Sequence, residues 1–224
     1  MEAHQSIDNN TTFINHLFNI GIKSFGKEHT IAVINNFYNH YNLPIISIGS
    51  GIGAIEHFAN LNYNSKYNKN IEWICVDNSD NPVQFPPSAN KYISRPLTNI
   101  DYHTTDELIK DNPSIVSNCI IFLNWCEPND SDYDYEAIIK LKPKAVLSIY
   151  EVFNDDYGAA GGKKFFKWTE DSDYVLREMY SLSSDHDMDI RIGWWQHSSI
   201  LYDEDAVFIS IESKIQHNNA CCIM

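Results

Sequence analysis

The sequence predicts an α/β protein: a mostly parallel sheet of seven strands, helices on both faces, and an antiparallel hairpin near the C-terminal end. Three observations predict it. Short apolar strand patterns alternate with helical ones along the middle of the chain, which is the signature of parallel strands joined by crossover helices. The strand patterns are continuous apolar runs, as expected when both sheet faces are covered. The last two strand patterns, residues 191–197 and 206–213, are separated only by residues 198–205. Parallel neighbours need roughly a dozen connecting residues, so these two are expected to be antiparallel.

The elements follow in order. Residues 11–25 and 29–41 read as helices; in the second, Ile31, Ile34, Tyr38 and Tyr41 recur at helical spacing and make one apolar stripe. Pro44 ends that pattern, and residues 45–48 form an apolar strand that stops in Gly49-Ser50-Gly51-Ile52-Gly53. A helix over 54–61 starts at once. Residues 71–76 are a strand ending in Asp77, and a loop with Pro82, Pro86 and Pro87 leads to a weak strand at 91–94. A short helix at 105–110 precedes the most apolar strand, 118–124, which runs into Trp125-Cys126-Glu127-Pro128. A helix at 133–141 and a strand at 144–150, ending in Glu151, complete the alternation before the terminal hairpin. Residues 1–214 are thus expected to form one domain, with 1–43 as helices leading into it. Residues 215–224 carry no periodicity and read as a flexible tail.

Composition narrows the function. The chain has 224 residues, 43% hydrophobic and 13% aromatic, which fits a folded globule and not a disordered chain. Its 16 basic and 30 acidic side chains give a net charge of −14. General nucleic-acid binding needs clustered Lys and Arg and is not expected. No apolar run is long enough to cross a bilayer. The first ten residues lack the basic-then-apolar pattern of a secretory signal. Five cysteines in no C-x-x-C spacing point to a reducing compartment, and a cytoplasmic location is expected.

The sharpest local signal is the glycine loop. Gly49, Gly51 and Gly53 lie between a strand and a helix. Glycines let the main chain turn tightly and approach a ligand, and a helix N-terminus offers free N–H groups. Asp77, at the tip of the next strand, can accept hydrogen bonds from ribose hydroxyls. A nucleoside-containing ligand is therefore expected. Two cofactor classes share this arrangement. Gly49, Gly51 and Ala54 satisfy G-x-G-x-x-A, which admits a nicotinamide or flavin dinucleotide. The G-x-G-x-G triplet followed by Glu56, with helices before the first strand and an antiparallel ending, admits another.

On these residues the chain resembles the class I S-adenosylmethionine-dependent methyltransferases over roughly residues 30–213. That resemblance implies a Rossmann-like seven-stranded sheet whose final, antiparallel strand is tucked between its neighbours. A closer resemblance is to a poorly characterised methyltransferase-like group with a tryptophan-proline motif. It rests on Trp125-Cys126-Glu127-Pro128, Tyr135-Glu136-Ala137, Ile149-Tyr150-Glu151, and Gly161-Gly162 before Phe165-Phe166. The resemblance implies that Gly49, Ser50, Gly51 and Gly53 line S-adenosylmethionine, that Asp77 holds its ribose, and that Asn124 and Trp125 sit beside the transferred methyl. Two positions depart from the family. Ser47 stands where an acid two residues before the first glycine is common, and Asn-Trp-Cys-Glu-Pro replaces the Asn/Asp-Pro-Pro-aromatic motif of amino-group methylators.

The expected activity is methyl transfer to an unidentified acceptor, a small molecule or a protein. A non-catalytic binding or scaffold protein of the same fold, and an NAD(P)-dependent oxidoreductase, are the alternatives. A general base is needed only if the acceptor must lose a proton. Glu127 and then Glu151, both at strand tips where open α/β sheets bind ligands, are the candidates. No metal site is expected: the acids of 130–136 suit a helix N-terminus, and Asp185-His186-Asp187-Met188-Asp189 reads as a solvated loop. Trp194 and Trp195 read as strand packing, and Cys126 as inert. Finally, Cys221-Cys222-Ile223-Met224 has the C-a-a-X form that favours farnesylation of Cys221. With only Lys214 upstream in the tail, one prenyl chain would anchor weakly, giving at most partial membrane association.

Overall fold

In the computed structural model, residues 27–51, 53–78, 98–124, 132–152, 163–181 and 189–200 are described. Their elements are helix α1 (Lys27–Tyr41), strand β1 (Ile45–Ile48), helix α2 (Ala54–Tyr67), strand β2 (Trp73–Val76), helix α3 (Thr105–Asp111), strand β3 (Ile120–Asn124), helix α4 (Tyr133–Leu141), strand β4 (Ala145–Val152), helix α5 (Lys163–Asp171), strand β5 (Tyr174–Ser181) and strand β6 (Asp189–His197). The helix at 11–25, the strands at 91–94 and 206–213, and the 215–224 tail expected from the sequence lie outside the described residues.

The strands form one six-stranded sheet in the order β2-β1-β3-β4-β6-β5. β1 pairs in parallel with β2 and β3, and β3 in parallel with β4. Period-two alternation splits the side chains into two cores. Ile45, Ile120, Phe122, Leu147 and Trp194 face α1 and α2, packing against Ile34, Phe37 and Ala59. Ile46, Ile121, Leu123, Val146 and Trp195 face the other side, against Leu108 of α3, Ile138 of α4 and Phe165 and Trp168 of α5. All four residues of β1 are buried, which is why it reads as a continuous apolar run. The apolar stripe of α1 is seated as the sequence predicts, with Phe37 added to it: its ring meets Trp194 edge-on at 5.4 Å.

The ending is antiparallel but built differently. β6 pairs with β4 on one edge and with β5 on the other, antiparallel to both. It is the inserted antiparallel strand that the resemblance implies. Its hairpin partner among the described residues is 174–181, whereas residues 206–213, the partner expected from the sequence, lie outside them. The sequence concealed α5 and β5. In α5 the apolar contacts rest on Phe165, Phe166 and Trp168, too few for a clear period. In β5 the register shifts between Leu176 and Glu178, so its alternation is broken. Trp194 and Trp195 are both buried, on opposite faces. Gly193 makes room for this: a Cβ there would lie 2.6 Å from the Trp195 ring.

At the β2 edge, Val76 forms a single parallel bridge with Tyr102. The chain therefore meets this edge at Tyr102, immediately before α3.

Candidate functional site

The carboxyl ends of the parallel strands converge on the loop after β1. Gly49, Gly51 and Gly53 have φ of 69°, 57° and 66°. This is the left-handed region, where a side chain costs roughly 1–2 kcal/mol per residue. The loop is pinned from three directions. The Gly49 N–H donates to the Val76 carbonyl at 2.9 Å, and the Gly53 N–H to that of Ser50 at 2.9 Å. The Gly51 N–H donates to Asp77 Oδ2 at 2.6 Å. Thr98 closes the far side by donating its hydroxyl to the Gly53 carbonyl at 2.8 Å. A Cβ at Gly53 would lie 2.5 Å from the Thr98 Cβ, so this glycine is required by packing as well as by φ.

The structure thus brings Gly49, Ser50, Gly51, Gly53 and Asp77 together. Asp77 is tied to the loop by one oxygen and is partly exposed. Ser50 is buried at the strand tip. Asn124 joins them: Leu123 is level with Ile48 across the β1–β3 pair, so the next residue of β3 stands beside Gly49. Glu151 lies further along β4, past Ile149, which is level with Asn124. Trp125, Cys126 and Glu127 lie outside the described residues, as do residues 185–188 and Cys221.

Sequence reasoning missed three contributors. Tyr133, the first residue of α4, lies against the loop, with its hydroxyl 3.3 Å from where a Gly49 Cβ would be. Thr98 is the second, and Ser47 with Glu56 is the third. The Ser47 hydroxyl donates to Glu56 Oε1 at 2.5 Å, and both side chains are buried. The other oxygen, Oε2, has no partner among the described residues. Burial pushes the Glu56 carboxyl up to about 7; the Ser47 bond opposes this, and the charge of Asp77 adds to it. The serine that departs from the family pattern therefore meets an acid supplied by the next helix. The available signal was an acid in the first turn of α2, whose core-facing position only the fold reveals.

The buried thiol of Cys75 has a proton affinity raised to about 12, first by burial and then by Glu56 and Asp101. Cys119 is raised to about 12 by burial. Neither is a thiolate nucleophile at neutral pH. At the start of α4, Asp134 in the first turn is buried and accepts from the Tyr135 N–H at 2.7 Å, while Asp132 just before the helix pairs with Lys164 at 2.8 Å.

No family model and no curated protein matches the chain. Solved structures match it in shape. Magnesium protoporphyrin IX methyltransferase from Synechocystis PCC 6803, with bound SAH, aligns at a TM-score of 0.50 over 84% of this chain and 94% of that one, at 9% identity. The chain has the methyltransferase fold. Burkholderia thailandensis 1,6-didemethyltoxoflavin-N1-methyltransferase, with 1,6-didemethyltoxoflavin and S-adenosylhomocysteine bound, aligns at 0.49 over 88% and 89%, at 10% identity. The CMeT domain of the citrinin polyketide synthase aligns at 0.43 and 14% identity over 69% of this chain, which spans 46% of that longer one.

Proposed function

We propose that the protein binds S-adenosylmethionine on the glycine loop and transfers its methyl group to an acceptor. The observation that carries this reading is the link from the Gly51 N–H to Asp77 within a loop of three left-handed glycines. That link fixes a carboxylate beside a bare stretch of backbone at the head of α2. Such a surface suits the ribose and amino-acid parts of a nucleoside, and the fold's occurrence in structures that hold S-adenosylhomocysteine supports the same ligand class.

When bound, the cofactor supplies an electrophilic methyl on a sulfonium. This chain's residues would bind and orient it: Gly49, Ser50, Gly51 and Gly53 along the backbone, Asp77 at the ribose, and Asn124 with Trp125 near the reacting end. Methyl transfer is an in-line displacement, so alignment of donor and acceptor supplies most of the help a protein can give. Where the acceptor must lose a proton, Glu127 is the proposed base and Glu151 the second choice. The tryptophan-proline group remains the proposed affiliation. Cys221 is proposed to carry a farnesyl group that gives a cytoplasmic protein partial, reversible membrane contact.

Titration calorimetry with S-adenosylmethionine, S-adenosylhomocysteine and NAD tests the reading. Binding of either methyl cofactor, weakened in Asp77→Ala, is the expected result. Tight NAD binding with no response to the other two would replace the reading by a dinucleotide-dependent oxidoreductase.

A further inference from the structure

A cavity of about 810 Å³ opens at the opposite end of the sheet. It lies where β4 and β5 begin, whereas the glycine loop lies where β1 ends. Ile48, the last residue of β1, is level through Leu123 with Ser148, three residues beyond Ala145, so the glycine loop stands about 13 Å along the strands from the start of β4. No residue of the glycine loop, nor Asp77 or Asn124, lines the cavity, so it is distinct from the proposed cofactor site.

Its charge runs against that of the protein. In a chain of net charge −14, four lysines line this one cavity: Lys142 and Lys144 on either side of Pro143, and Lys164 and Lys167 on α5. Residues three apart share a helix face, so the last two project together. Lys164 is neutralised by Asp132 at 2.8 Å. Among the described residues, Lys142, Lys144 and Lys167 form no ion pair. Asp171 and Asp173 are the acids of the lining, so cations outnumber them.

The remaining wall is aromatic and fixed. Trp168 lies 4.9 Å from Tyr174, ring centre to ring centre, and Tyr174 meets His197 edge-on at 5.2 Å. The Tyr174 hydroxyl donates to the Pro143 carbonyl at 2.5 Å. That bond fastens the aromatic wall to the segment carrying Lys142 and Lys144.

We propose that this cavity is a second ligand site, taking a small organic polyphosphate whose anionic groups meet Lys142, Lys144 and Lys167 and whose ring lies against the half-buried Tyr174 and His197. Lysine ammoniums act as point charges that suit phosphate without demanding one geometry. The volume is that of a site for a ligand of this size. The proposal is independent of what the glycine loop binds.

ATP is the probe, titrated by calorimetry into the full-length protein and into Lys144→Gln/Lys167→Gln. Both lysines are partly or fully exposed, and a melting curve checks that the variant is folded; the exposed single change Lys167→Glu serves as a second variant. The expected result is binding that weakens about tenfold or more in either variant. It should also weaken as salt rises from about 0.05 to about 0.3 M. Absence of binding overturns the proposal. So does binding that is equal in wild type and both variants, since ATP would then occupy another site.

Discussion

Ser47 and Glu56 are joined by a hydrogen bond of 2.5 Å beneath the glycine loop, and the second oxygen of Glu56 is left unmatched among the described residues. A buried carboxyl in that position favours its proton. Its affinity, raised from 4.5 to about 7, links stability to pH. Between those values the native state holds a proton that the unfolded chain has released. Stability therefore falls as pH rises through this window and is lowest above it. The full effect is of order 3 kcal/mol. Urea unfolding from pH 4.5 to 8 is expected to show this decline in wild type and to show it flattened in Glu56→Gln, which keeps an acceptor for Ser47 but cannot ionise. Identical pH profiles would mean that Glu56 is ionised in the fold.

Asp77→Ala removes both the restraint on Gly51 and the proposed ribose acceptor. Affinity for S-adenosylhomocysteine is expected to drop by roughly 1.5–3 kcal/mol, the range for a lost charge-assisted hydrogen bond. Calorimetry at fixed salt measures it directly. Unchanged affinity would detach Asp77 from the site.

Gly51→Val places a β-branched side chain at φ 57° and fills the surface that a ligand would approach. Binding of S-adenosylhomocysteine is expected to vanish, while strain of roughly 1–2 kcal/mol leaves the protein folded. Circular dichroism and calorimetry on one sample separate the two effects. Normal binding would mean that the ligand does not lie over this loop.

Gly193→Ala tests packing away from the loop. The new methyl would meet the Trp195 ring at 2.6 Å and Tyr150 at 3.1 Å, so the core must shift, at a cost of about 1–3 kcal/mol. A lower unfolding midpoint in urea is expected. An unchanged midpoint would show that Trp195 has a second comfortable position.

Much of this fold was legible because both faces of the sheet are covered. β1, β3 and β4 are mostly apolar, with only Ser47, Asn124, Ser148 and Glu151 interrupting them, so each announces itself without a partner. The glycine loop and Asp77 were legible because backbone geometry restricts which residues stand there. β5 was not, since Arg177 and Glu178 interrupt its apolar residues and its register shifts at that point. The pairing of β6 with β4 was hidden for a different reason: register belongs to strands far apart in sequence. Ser47 and Glu56 are close in sequence, yet their contact depends on the turn of the glycine loop, which swings the first turn of α2 back under β1.

The place of β6 within the sheet also has a consequence for synthesis. β4 is complete at Val152, but the strand that covers its free edge ends only at His197. At about 5–20 residues per second, that edge waits on the order of seconds on the ribosome. During this interval Ala145–Val152 presents unpaired N–H and C=O groups beside buried apolar residues, the condition under which strands recruit one another. The nascent protein is thus most exposed to misassembly between neighbouring ribosomes on one message, and a chaperone that holds this stretch would shorten the danger more than one that acts after release.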